Sequence, residues 1–68
     1  MTVEDAKQIV LSSYPHAKPC SYLNNKCIID IDGYRYLCAA GAETSDDAWL
    51  MAAKEIMDVM LHKFEHNW

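Results

Sequence analysis

The fold is decided by the stretch KCIIDIDGYRYLCAA, residues 26–40. Apolar and polar side chains alternate along it with a period of two, which is typical of strands that have one buried face. The pair Asp32-Gly33 lies near its centre. Asp-Gly is a strong signal for a two-residue hairpin loop, because such a loop requires positive φ at both positions. The stretch therefore predicts antiparallel strands over residues 26–31 and 34–40.

A two-residue loop also determines which side chains share a face of the sheet. It places Ile29 opposite Tyr36 and Asp30 opposite Arg35, so the apolar pair and the charged pair lie on different faces. The uncharged face is predicted to comprise Cys20, Tyr22, Cys27, Ile29, Ile31, Tyr34, Tyr36, Cys38 and Ala40. The other face carries Lys26, Asp30, Asp32 and Arg35. We expect the uncharged face beneath the helices, because a slip of one residue would bury charged side chains instead.

Upstream of this stretch the sequence predicts a helix and a first strand. The helix covers about residues 2–14, with Thr2 as its N-cap and Pro15 as its stop signal. Residues 18–23 form the strand, and a turn at Asn24-Asn25 joins it to the hairpin. The helix is predicted to bury a stripe made of Val3, Ala6, Ile9, Val10 and Tyr14.

Downstream, a long helix is predicted over about residues 46–65, with Ser45 as its N-cap. Its central apolar stripe consists of Trp49, Ala52, Ala53, Ile56, Met60 and Phe64. The predicted fold is α+β, with the order α-β-β-β-α. A three-stranded antiparallel meander sheet is covered on one face by two helices, and residues 1–68 form a single small domain.

Composition and charge exclude several functional classes. The chain has 68 residues, of which 51% are hydrophobic and 24% charged, and this is a globular rather than a disordered composition. No apolar run is long enough to span a membrane and no signal peptide is evident, so we expect the protein in the cytoplasm. The formal net charge of −4 argues against direct binding to nucleic acid or to a membrane surface. It suits a partner that is itself basic.

The residues able to perform chemistry form no catalytic or metal-binding pattern. The cysteines lack the Cys-x-x-Cys spacing of a zinc knuckle, and we expect them to pack as small apolar side chains. A zinc site with a nearby histidine, or a disulfide, remains the alternative. Phosphate-binding loops and nucleophile motifs are missing from the sequence. We therefore expect no enzymatic activity and no cofactor. The residues considered are Cys20, Cys27 and Cys38, with His16, His62 and His66.

Two sets of surface residues are candidates for binding a partner. Leu23, Ile28 and Leu37 are expected to form an exposed apolar cluster on the sheet face without helices. The second set is acidic and lies where the chain enters the long helix, at Glu43, Asp46 and Asp47. Acidic residues at a helix start also stabilise the helix dipole, and this structural role is the alternative explanation.

The order of elements resembles the double-stranded-RNA-binding domain, and residues 48–53 are similar to its alanine-rich second helix. That family carries a basic cluster at the start of this helix. Asp46-Asp47 stands there in this sequence and would repel phosphate. The resemblance therefore implies the topology but argues against RNA binding.

Two segments resemble small proteins encoded by phages and prophages: residues 6–17, and residues 41–53 with Thr44, Ala48-Trp49 and Ala52-Ala53. Some phage proteins of this size and acidity inhibit host defence, as anti-CRISPR proteins do. The resemblance implies a non-enzymatic inhibitor that binds a basic, nucleic-acid-binding surface of a host defence complex in the host cytoplasm. A self-associating, dimer-forming module and a small zinc-binding domain are the alternatives.

Overall fold

The computed structural model describes residues 1–22 and 25–65, and the surroundings of side chains for residues 1–21 and 25–60. The elements follow the order α-β-β-β-α. They are α1 (Val3–Ser13), β1 (Lys18–Tyr22), β2 (Lys26–Asp30), β3 (Tyr36–Ala42) and α2 (Ser45–Glu65). The strands form one antiparallel sheet in the order β1-β2-β3. The α+β class and the meander topology are therefore confirmed.

The two helices pack on the sheet and share one core with it. Helix α2 contacts all three strands, while α1 packs mainly against α2. The core between them is formed by Ala6, Val10, Ala17, Ile29, Ile31, Cys38, Ala42, Ala48, Trp49, Ala52, Ala53 and Ile56. Within the described part of the chain, no helix is long and apolar enough to span a membrane.

Helix α1 forms as its sequence pattern predicts. The Thr2 hydroxyl accepts a hydrogen bond from the backbone N–H of Asp5 at 3.2 Å, which is the expected N-cap. Ala6 and Val10 are fully buried, and the other three apolar side chains of the predicted stripe pack around them. Apolar residues that recur every three to four positions are thus enough to define this helix and its buried face.

Helix α2 spans the predicted range but differs from its prediction in its N-cap and in the burial of Met60. Its N-cap is Thr44 rather than Ser45, because the Thr44 hydroxyl accepts the N–H of Asp47 at 3.1 Å. Trp49, Ala52, Ala53 and Ile56 are buried as predicted. Met60 was expected in the core, but it is 52% exposed, and Ile56 is the last buried residue of α2 among the described side chains. Phe64 lies outside the described side chains.

The last backbone hydrogen bond of the β2–β3 hairpin encloses three residues instead of the predicted two. The N–H of Ile31 donates to the carbonyl of Arg35 at 3.1 Å, which leaves residues 32–34 in the loop. Two aspartates explain the longer loop. Asp30 accepts the N–H of Gly33, and Asp32 accepts the N–H groups of Tyr34 and Arg35, at 2.6–3.0 Å. These local bonds satisfy the backbone of a loop that is wider than a type I′ turn.

The extra loop residue shifts β3 by one position, so the predicted register was wrong. Ile29 lies opposite Leu37, not Tyr36, and Asp30 lies opposite Tyr36. Leu37 consequently packs against the core, while Tyr36 is largely exposed. Tyr34, predicted on the covered face, stands in the loop and is 90% exposed. Since Arg35 pairs with Asp32 at 2.8 Å, the predicted Asp30–Arg35 pair is replaced.

A wide bulge in β3 returns the strand to a core-facing register. Cys27 pairs with Ala42 and Ile29 with Leu37, so residues 38–41 stand opposite Ile28 alone. Within the bulge, Cys38 has φ +57° and Gly41 has φ +87°. A Cβ at Gly41 would come within 2.6 Å of the Lys26 Cβ. Positive φ and close contact together require glycine at position 41.

Both outer strands of the sheet carry an irregular feature. On β3 it is the bulge. On β1 it is Pro19, which pairs with Ile29 and has no N–H to donate. Proline is tolerated in a sheet where its nitrogen faces away from the neighbouring strand, as it does on an edge.

Candidate protein-binding surfaces

The apolar cluster predicted on the open face of the sheet is not formed as expected. Ile28 is only 3% exposed, and Leu37 is half-buried and packs against the core. The two residues are not neighbours across the strands, because Leu37 pairs with Ile29. Leu23 lies outside the described residues. The register shift thus moves Leu37 to the core side, and Ile28 is buried although it is not part of the core cluster, so neither belongs to the exposed surface on which the prediction depended.

The acidic residues Glu43, Asp46 and Asp47 are all exposed. Glu43 lies in the short connection between β3 and α2, and the two aspartates lie in the first turn of α2. We find no ion pair or hydrogen bond to their carboxylates within residues 1–22 and 25–60. Their carboxylates therefore face solvent.

Glu43 and Asp47 also line a shallow groove of about 320 Å³ between β2, the β3 bulge and α2. We call this the acidic groove. Its lining comprises Lys26, Gly41, Ala42, Glu43, Asp47, Leu50 and Met51. Asp46 lies beside it on α2 but does not line it. The groove thus combines two carboxylates and a lysine with apolar side chains.

Met51 is the part of this surface that the sequence reasoning missed. It is 43% exposed, and its sulfur accepts a hydrogen bond from the Cys38 thiol, with 3.7 Å between the two sulfur atoms. Met51 follows Asp47 by four residues, so the two side chains share a helix face. That spacing is the sequence signal for Met51, which lies outside the apolar stripe of α2.

The cysteines occupy three different environments. Cys38 is buried, Cys27 is half-buried against the core, and Cys20 is half-buried outside it. Burial raises the pKa of the Cys38 thiol above its ordinary value of 9.0, and the nearby Glu55 carboxylate raises it further. A thiol of this kind is mostly protonated at neutral pH.

The potential metal ligands do not converge in the described region. Within it, no group of three or more His, Cys, Asp or Glu side chains is arranged to hold a metal ion. His16 lines a separate surface depression with Lys18, Asp30 and Asp32. His66 and the side chain of His62 lie outside the described residues. The aspartates of this depression already accept backbone N–H groups of the hairpin loop.

Comparison of the chain with protein-family models, curated proteins and solved structures gave no significant match. Function must therefore be inferred from the side chains that the fold exposes.

Proposed function

We propose that the protein acts without catalysis, by stoichiometric binding of a partner protein through the acidic groove and the adjacent Asp46. The observation that carries this proposal is the position of Met51. A half-exposed apolar side chain lies within a groove that also carries the solvent-facing carboxylates of Glu43 and Asp47. Carboxylates that serve only to cap a helix do not need an apolar neighbour.

The chemistry of this surface favours a basic partner. Three carboxylates within five residues attract Lys and Arg side chains, and complementary charge raises the association rate and orients the encounter. Met51 and Leu50 supply apolar contact area, and methionine adapts readily to differently shaped surfaces. The partner surface should therefore present basic side chains around an apolar protrusion.

We further propose that the partner belongs to a host defence complex and that the protein is a phage or prophage inhibitor of the anti-CRISPR type. Support comes from the resemblance of residues 6–17 and 41–53 to phage-encoded proteins, and from the net charge of −4. A basic channel that binds nucleic acid offers the charges that phosphate normally neutralises. Glu43, Asp46 and Asp47 would occupy such a channel in place of phosphates, in the host cytoplasm.

The test compares two double charge reversals at equivalent places. Asp46→Lys/Asp47→Lys changes the first turn of α2, and Glu4→Lys/Asp5→Lys makes the same change in the first turn of α1. Tagged wild type and both variants are used to capture partners from the native host, with quantification by mass spectrometry. We expect the wild type and the α1 variant to capture the same partner in similar amounts. The α2 variant should capture at least about tenfold less of it.

Equal capture by the two variants would show that the α2 carboxylates are not the binding surface. Circular dichroism of both variants controls for folding, since each loses favourable dipole interactions of about 1 kcal/mol or less per residue. For the defence hypothesis, the captured partner should lose nucleic-acid binding when the protein is added in a 1:1 ratio. A partner whose nucleic-acid binding is unchanged would contradict that hypothesis.

A further inference from the structure

A second groove lies at the other end of the described part of α2. It is bounded by the C-terminal end of α1, by β3 and by α2, and has a volume of about 550 Å³. We call it the apolar groove. The residues that define it are Tyr14, Leu37, Glu55, Asp58, Val59 and Met60. It shares no lining residue with the acidic groove, and Asp47 and Asp58 are about 16 Å apart along the helix axis.

Much of the lining of this groove is apolar. Leu37 and Ile56 line it, and both belong to or pack against the core. Val59 and Met60 line it from α2, and they are 57% and 52% exposed. Large apolar side chains grouped around a concavity favour burial by a partner, whereas isolated ones on a convex surface do not.

The electrostatic character of the apolar groove is negative. Glu55 and Asp58 line it on the α2 side. At the C-terminal end of α1, which ends at Ser13, the last turn contains no basic residue that would offset the negative end of the helix dipole. The described lining residues include no Lys or Arg. Arg35 lies 6.0 Å from the centre of the Tyr14 ring, but its charge is paired with Asp32.

We propose that the apolar groove binds a basic amphipathic helix of a partner protein, with apolar side chains on Leu37, Val59 and Met60 and Lys or Arg beside Glu55 and Asp58. Charge complementarity selects this occupant. A second copy of the chain also carries a net charge of −4 and would be repelled. The proposal adds a binding surface separate from the acidic groove and does not depend on it.

The test uses a defined probe: a fluorescently labelled, 14-residue helical peptide of leucine and lysine with Leu at three- and four-residue spacing. The same peptide with Glu in place of Lys is the control. Binding to the full chain is titrated by fluorescence anisotropy, and the site is located from backbone amide shifts in NMR spectra. We expect the lysine peptide to bind with shifts centred on residues 55–60, and the glutamate peptide to bind at least about tenfold more weakly.

Matched variants separate this groove from general attraction between opposite charges. Asp58→Lys should weaken peptide binding about fivefold, whereas Asp5→Lys, the same charge change in the first turn of α1 and outside the lining of both grooves, should alter it less than about twofold. Val59→Ser should weaken binding about threefold without changing the charge. Tyr34→Ser, which removes an exposed aromatic ring elsewhere, should have no effect.

Three results would overturn the proposal. They are equal weakening by Asp58→Lys and Asp5→Lys, amide shifts confined to residues outside the apolar groove, and binding of the lysine peptide no tighter than that of the glutamate peptide. A concentration-dependent dimer that Val59→Ser abolishes would assign the groove to a second copy instead. The apolar groove is tested by peptide affinity, whereas the acidic groove is tested by partner capture. A negative result in one experiment therefore leaves the other proposal unaffected.

Discussion

The Glu55 carboxylate of α2 accepts a hydrogen bond from the backbone N–H of Cys38 in β3, with a donor–acceptor distance of 2.6 Å. Cys38 lies in the bulge, where β3 does not pair with β2, and its φ of +57° is unusual for a residue with a Cβ. The helix side chain therefore replaces the partner that a regular strand would supply. This bond links α2 directly to the irregular part of the sheet.

Removing the Glu55 carboxylate should destabilise the protein. Glu55→Ala leaves the Cys38 N–H unpaired beside the core, and we expect a loss of about 1–3 kcal/mol in the free energy of unfolding. Glu55→Gln should lose less, because its amide oxygen can still accept the bond. Urea denaturation measures both. Asp58→Ala, an exposed site one turn along α2, is the control and should change stability by less than about 0.5 kcal/mol. Equal effects of Glu55→Ala and Asp58→Ala would contradict this role.

The two glycines with positive φ should respond differently to alanine. Gly33 and Gly41 both have φ of +87°, but a Cβ at position 33 meets nothing within 4 Å. Gly33→Ala should therefore cost about 1 kcal/mol from backbone strain alone. Gly41→Ala adds the clash with Lys26 and should cost about 3 kcal/mol. Thermal or urea unfolding of the two variants separates the cost of the Lys26 contact from that of backbone strain. Similar losses of stability in both variants would show that the Lys26 side chain moves away without cost.

Cys38 should be the slowest of the three cysteines to react with iodoacetamide. It is buried, and burial and the Glu55 carboxylate raise the pKa of its thiol, so little thiolate is available below pH 9. Peptide mass spectrometry over time gives the rate at each site. Cys20 and Cys27 are half-buried and serve as internal references. Labelling of Cys38 as fast as Cys20 under native conditions would show that the bulge opens readily.

The contribution of Asp32 in the hairpin loop to the stability of the folded state should depend on pH. Hydrogen bonds from the Tyr34 N–H and from Arg35 lower the pKa of Asp32 below its ordinary value of 3.8. Its ionised form therefore stabilises the folded state above pH 3.8, and that contribution is lost as the pH falls through the lower folded pKa. Asp32→Asn should be less stable than wild type at pH 6, with the difference shrinking below pH 4. Arg35→Met should keep part of this pH dependence, because the Tyr34 N–H remains. A difference that is constant with pH would exclude the effect.

The position of the α2 cap can be tested with two neighbouring hydroxyl residues. Thr44 accepts the N–H of Asp47, so Thr44→Ala should lower the free energy of unfolding by about 1 kcal/mol. Ser45 is exposed and has no such bond in the described structure, and Ser45→Ala should change stability by less than about 0.5 kcal/mol. The reverse order of effects, measured by urea denaturation, would restore Ser45 as the cap.

The architecture could be predicted from the sequence because it depends on periodicity. Thr2, Ala6 and Val10 define α1 by spacing and capping alone, and Trp49 to Ile56 define the buried part of α2 in the same way. Such patterns operate over single turns of a helix and need no knowledge of distant contacts. The order of elements follows directly from them.

The register of β3 could not be predicted, because it depends on contacts that form only in the folded loop. The carboxylates of Asp30 and Asp32 accept loop N–H groups and favour three loop residues where Asp-Gly alone suggests two. The bulge likewise depends on Glu55, which is 17 residues from Cys38 along the chain. The acidic residues of the candidate surface were correctly expected to be exposed, whereas Leu37 was misplaced by the shifted register and Ile28 is buried.

Pro19 and the β3 bulge have a consequence for behaviour at high concentration. A flat strand with free N–H and C=O groups on a sheet border recruits further chains and begins fibril growth. Here one border lacks a donor at Pro19, and the other is bent by the four residues that stand opposite Ile28. Neither border offers a regular template for another strand, so this small acidic protein should resist amyloid-type assembly even when it is produced in large amounts.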